Sequence, residues 1–159
     1  MIMRYLFLAF TACIAFTACN KDKYTSAPQI KFKSITSPYK VNNANQEFAT
    51  LVIELTDAEG DFGFKEGKDT SYVFVKNTKA PFRLDSFKFP SALAKAVKKN
   101  FKGDVEVNLS GSGTGGTNAV PPIPAGKTRD TVYYEIYVKD FAKNKSNVIK
   151  NTDPFIITQ

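Results

Sequence analysis

Residues 131–139 alternate apolar and polar side chains without interruption, and this limits the fold more than any other feature of the chain. Successive strand side chains point to opposite faces, whereas helical side chains recur every 3.6 residues. Val132, Tyr134, Ile136 and Val138 are therefore expected on one face, with Tyr133, Glu135 and Tyr137 on the other. The same period recurs upstream. In residues 48–55, Ala49, Leu51, Ile53 and Leu55 form an apolar face while Thr50 and Glu54 point away. Val105, Val107 and Leu109 alternate with Asp104, Glu106 and Asn108. Near the start, Ile30, Phe32 and Ser34 are expected to face one way, and Lys31, Lys33 and Ile35 the other. Residues 71–76 mix Tyr72, Val73, Phe74 and Val75, which predicts burial on both faces. Residues 83–89, 148–150 and 155–158 complete the set of strands.

One stretch departs from this period. Residues 91–100 are rich in Ala and Lys, follow Pro90 and begin with a capping Ser91, so they predict one short helix laying Leu93 and Val97 on a sheet. Residues 110–117 are Ser, Gly and Thr, with Pro121, Pro122 and Pro124 behind them, and read as a mobile connection. The hydrophobic content of 43%, with 14 Phe and 7 Tyr among 159 residues, is enough for one packed core. Short alternating strands joined by Gly- and Pro-rich turns predict an all-β fold. The expected form is an immunoglobulin-like β-sandwich of about seven strands with one short helix, and a small β-barrel is the alternative. In immunoglobulin lettering, residues 48–56 are strand B, 71–76 C, 105–109 E, 131–139 F, and the tail G.

The amino terminus has a different character. Arg4 precedes an apolar run over residues 5–18, which at 14 residues falls short of the roughly 20 a bilayer-crossing helix needs. Both cysteines close the same tetrapeptide: Phe10, Thr11, Ala12, Cys13 and then Phe16, Thr17, Ala18, Cys19. Only the second is followed by polar residues, Asn20 to Lys23. This segment resembles the lipobox of bacterial lipoproteins, in which the sulfur of the first mature residue carries a diacylglycerol. Ala18 and Cys19 match it, while Phe16 and Thr17 stand where the family has Leu and a small residue. The resemblance implies a lipoprotein signal peptide over 1–18, a lipidated tether over 19–27 and a domain over 28–159. With Asn20 rather than Asp after the cysteine, it implies a lipid-anchored place in the outer membrane, facing the periplasm or the cell surface. An ordinary signal peptide with an incidental Cys19 is the competing reading, and it leaves an exported domain with one unpaired thiol.

Composition removes several kinds of chemistry. The chain has no His, which takes away the commonest general base and the commonest transition-metal ligand. Ser91 and Lys95 fit an ordinary helix pattern, and the glycines between Gly111 and Gly116 lack the Lys-Ser/Thr and helix of a phosphate loop. The formal charge of +7 is spread along strands, with Lys95, Lys98, Lys99 and Lys102 as the one dense group. That pattern points away from nucleic acid and towards a solvated basic surface, with contact with an anionic surface such as lipid or acidic glycan as the alternative.

Two turns carry the remaining polar chemistry. Asp57, Glu59 and Asp61 follow strand B, and Asp140 opens the turn after strand F. Loops B–C and F–G of an immunoglobulin-like sandwich share a pole, so these four carboxylates are expected to approach one another and are the candidate ligands of a Ca²⁺ ion. An EF-hand is not expected, since Phe62 occupies its glycine position and Lys68 its bidentate Glu position. Tight-turn chemistry alone is the competing explanation. The pairing of Gly60-Asp61-Phe62-Gly63 with a later turn over residues 139–147 resembles a group of bacterial lipoproteins with sandwich domains, a likeness that implies a fold and no activity. Tyr133 and Tyr137 form an outward aromatic stripe, explained by cross-strand packing or by contact with a partner.

The expectation is thus a non-enzymatic, membrane-anchored lipoprotein acting as a binding or accessory module of the cell envelope. The alternative is a Ca²⁺-stabilised structural module of an envelope assembly. A covalent lipid at Cys19 is expected and Ca²⁺ is the candidate cofactor. The membrane and an envelope protein or glycan are the expected partners, with no nucleic acid.

Overall fold

The computed structural model describes residues 24–41, 48–63, 70–79, 82–89, 99–111, 113 and 118–159. Among them the chain runs through β1 (Gln29–Ile35), β2 (Tyr39–Lys40), β3 (Thr50–Asp57), β4 (Tyr72–Asn77) and β5 (Leu84–Lys88). It continues through β6 (Phe101–Asn108), β7 (Arg129–Val132), β8 (Tyr134–Lys139), β9 (Ile149–Lys150) and β10 (Phe155–Thr158). The hydrogen-bonded orders are β1-β3-β6, β5-β4-β8-β9 and β2-β10-β7. With β3, β4, β6 and β8 as strands B, C, E and F, the first two orders are those of the two immunoglobulin sheets. The fold is all-β and sandwich-like.

Alternation explains the two layers. Leu51, Ile53 and Leu55 of β3 and Val105 and Val107 of β6 are buried with Val73 and Val75 of β4 and with Tyr134, Ile136 and Val138 of β8 in one cluster. Each such side chain contributes roughly 1.5–3 kcal/mol by leaving water. Antiparallel pairing of β3 with β6 runs from Thr50 opposite Asn108 to Asp57 opposite Phe101, and it sets Val107 opposite Leu51 and Val105 opposite Ile53.

The structure departs from simple periodicity in four places. First, β1 carries a bulge between Phe32 and Ser34. Lys33 is the additional residue, so Ile35 pairs with Leu51 and is buried rather than facing outward with Lys31. Second, Tyr72 and Phe74 are only half-buried, while Val73 and Val75 fill the core; the outer face of β4 is screened by neighbouring aromatics and lysines, not by another apolar layer. Third, residues 131–139 are one strand in sequence but two in pairing. β7 pairs with β10 and β8 with β4, and the change comes at Tyr133, whose carbonyl accepts from the amide (3.0 Å) and hydroxyl (2.8 Å) of Thr78. Fourth, Pro121, Pro122 and Pro124 belong to a fixed segment, because Ala119 is tied to Leu109 by a backbone bond of 2.8 Å and accepts a bond from Tyr134.

No helix occurs among the described residues, and the helix expected over 91–100 lies outside them except for Lys99 and Asn100, which form a bend. Residues 1–23, with the leader and Cys19, also lie outside them.

Candidate functional site

Asp57 is the last residue of β3 and is fully buried. Its Oδ2 accepts hydrogen bonds from the amides of Gly60 (2.5 Å) and Asp61 (3.2 Å), which folds residues 57–61 into a tight turn. Gly60 takes φ 64°, a left-handed conformation that favours glycine. Phe62 then drops into the core, 4.7 Å from the ring of Phe101 and 5.6 Å from that of Phe89. The turn closes on β4 through Ser71, whose Oγ accepts from Gly63 and whose amide donates to the Gly63 carbonyl. Burial of Phe62 thus draws an acidic turn down onto the protein.

The cost appears in the electrostatics. Oxygens of Asp57, Glu59 and Asp61 lie within 4.8 Å of one another. Among the described residues, the buried side-chain atoms that accept no hydrogen bond are Oδ1 of Asp57 and Oδ1 of Asp61. Burial pushes the Asp57 carboxyl up to about 6; the negative charges of Asp61 and Glu59 push the same way, against the amides of Gly60 and Asp61. Asp61 is raised as well, first by burial and then by the charge of Asp140.

Asp140 stands beside Asp61 but outside the three-carboxylate cluster. Its Oδ1 accepts from the Asn144 amide (2.7 Å) and its Oδ2 from the Asn144 side chain (2.9 Å), closing its own turn. The other polar residues of that turn replace missing backbone partners. Ser146 Oγ accepts from the Val138 amide at 2.9 Å. The Asn147 side chain pairs with Ile30 twice, accepting from its amide (2.8 Å) and donating to its carbonyl (2.9 Å), and so links the F–G turn to β1. Asn151 does similar work, accepting from the Tyr134 amide at 2.6 Å. The sequence places Asn144 and Asn147 in a turn and does not single out Asn151; the long-range partners of Asn147 and Asn151 leave no local signal.

Three connections gather both turns at one pole. The Phe141 amide donates to the Asp61 carbonyl (2.8 Å), the Ala58 amide to the Thr25 carbonyl (3.2 Å), and the Asn144 side chain to the Ser26 carbonyl (3.5 Å). The segment arriving from residue 24 therefore meets the acidic turn before β1 begins.

A second candidate surface covers the outside of β5-β4-β8-β9. Tyr137 stacks on Phe74 with ring centroids 4.7 Å apart and planes 8° from parallel, and Tyr72 follows at 6.1 Å from Phe74. Lys139 lies over Phe74 (5.6 Å), Lys145 over Tyr137 (4.2 Å) and Lys150 over Tyr133 (4.8 Å). Register adds Lys76 and Lys88 to this face, with Glu135 as its carboxylate, paired to Lys76 at 3.2 Å. The outside of β1-β3-β6 is different: Glu54 is shared by Lys31, Lys33 and Lys102 at 3.5–3.8 Å, a solvated ion network. Tyr133 and Tyr137 thus belong to a wider stripe that includes Tyr72 and Phe74.

No protein-family model matches the chain, and no curated protein or solved structure matches it either.

Proposed function

We propose that this chain is a non-enzymatic lipoprotein, anchored through Cys19 in the outer membrane, whose domain binds an acidic glycan of the cell envelope through the outside of β5-β4-β8-β9. The observation that carries the reading is the Phe74–Tyr137 stack with the ammonium groups of Lys139 and Lys145 over its rings, and that of Lys150 over Tyr133 on the same face. The half-buried rings offer apolar edges between the lysines for contact with a sugar, and the lysines, in excess over Glu135 among the described residues of this face, attract its carboxylates. The chain's lack of histidine, and the use of buried Ser71 and Ser146 as backbone partners, favour binding over catalysis.

Titration of the isotope-labelled protein with an oligogalacturonate, and with a neutral oligosaccharide as control, tests this. Amide signals of β4, β8 and β9 are expected to move with the acidic sugar and to return as salt is added. Equal response to the neutral sugar, or movement elsewhere only, would refute it. A second reading, a Ca²⁺-stabilised structural module, is favoured by the orphaned carboxylate oxygens of Asp57 and Asp61.

A further inference from the structure

We infer that the turn over residues 57–61 is a Ca²⁺ site, with the carboxylates of Asp57, Glu59 and Asp61 as its protein ligands and water completing the shell. This goes beyond the glycan reading and does not depend on it.

Clustered acids alone would not carry the inference, because a turn rich in Asp is ordinary. What separates this turn is Asp57. Its side chain is fully buried, and while Oδ2 satisfies two amides of the turn, Oδ1 has no hydrogen-bond partner. Oδ1 of Asp61 is buried in the same condition. Leaving a buried acceptor unsatisfied is unfavourable, more so when it is charged and its neighbours share its sign. Protonation relieves one such oxygen; a divalent cation relieves both and neutralises the repulsion as well.

Size and donor type specify the ion. Ca²⁺ holds oxygen ligands at about 2.3–2.6 Å, so two ligands of one ion stand no more than about 4.6–5.2 Å apart. The three carboxylates fall inside that span, at 4.8 Å or less. All the donors are hard oxygens without nitrogen or sulfur, which suits Ca²⁺ and not a softer transition metal. Glu59 is exposed and closes the site from the solvent side. Asp140, with both oxygens engaged by Asn144, contributes negative charge next to Asp61 and no ligand.

The position gives the ion a role. Asp61 ligates through its side chain while its carbonyl accepts from Phe141, so the ion braces the B–C turn against the F–G turn. Ala58, between two ligands, bonds to Thr25, so the segment leading into the domain is held by the same turn.

Thermal unfolding of the EDTA-treated full chain, with CaCl₂ added back, tests the site; a ligand confined to the folded state raises the midpoint. A rise is expected by about 1 mM CaCl₂, within the range of extracellular Ca²⁺ modules. In Glu59→Gln, which alters an exposed side chain with no part in holding the turn, roughly tenfold more CaCl₂ is expected for the same rise, reflecting one lost charge. Calorimetric titration is expected to return one ion per chain. An unchanged midpoint in the wild-type chain at about 5 mM CaCl₂ would overturn the proposal. So would an equal rise in Glu59→Gln, or an equal rise from MgCl₂, which would signify general ionic screening.

Discussion

The amide of Phe141 donates to the carbonyl of Asp61 across 2.8 Å, joining the turn that follows β8 to the turn that follows β3. This bond joins the acidic turn and the Asp-Asn turn, far apart in sequence, into one unit. It also brings Asp140 close enough to raise the pKa of Asp61.

The closure of the F–G turn rests on Asp140. Asp140→Ala removes the acceptor for two donors of Asn144 and is expected to lower stability by about 2 kcal/mol. Urea denaturation measures the loss. A change within a few tenths of a kcal/mol would mean that the turn is held by its backbone alone.

Asn147 stands in for a strand. Its amide group makes both bonds to Ile30, the second residue of β1. Asn147→Ala is expected to cost about 2 kcal/mol and to speed hydrogen exchange at the Ile30 amide. Protection at Ile30 equal to wild type would contradict the assignment.

Tyr134 lies at the start of β8, and its hydroxyl donates to the Ala119 carbonyl at 3.0 Å, both groups buried. The bond pins the connection that precedes β7 and β8 to the core. Tyr134→Phe leaves the ring in place and orphans the carbonyl, so a loss of about 1–2 kcal/mol is expected. Amide exchange in residues 118–125 is expected to rise with it.

Acid sensitivity has a defined contributor in Asp130. The hydrogen bond from the Lys79 ammonium holds its carboxyl below the ordinary 3.8, and the positive charges of Lys79 and Lys127 act the same way. A carboxylate with a depressed folded pKa stabilises the fold above its unfolded value, and the benefit disappears as pH falls through the folded one. Lys79→Met is therefore expected to be less stable than wild type at neutral pH. The gap should close as pH drops below the ordinary carboxylate range. Denaturation midpoints of the two proteins from pH 7 to pH 2 report it, and a gap independent of pH would assign the effect to packing.

Local pattern alone determined most of the strands and most of the residues that face the core, because strand periodicity is a property of neighbouring residues; β2 and the opening of β6 were not legible that way. Leu51, Ile53, Val105, Tyr134, Ile136 and Val138 were all legible that way. The acidic turn after β3 and the Asp-Asn turn after β8 were legible too, since Asp, Asn and Gly mark tight turns by their own chemistry. Tertiary structure decided what lies between those scales. The bulge at Lys33 that turns Ile35 inward, and the change of partner at Tyr133, depend on strands distant in sequence. The same holds for the orphaned oxygens of Asp57 and Asp61: nothing near them in the chain says that Phe62 will pull them out of water. Burial and long-range pairing are properties of the folded whole, and a residue's neighbours in sequence do not encode them.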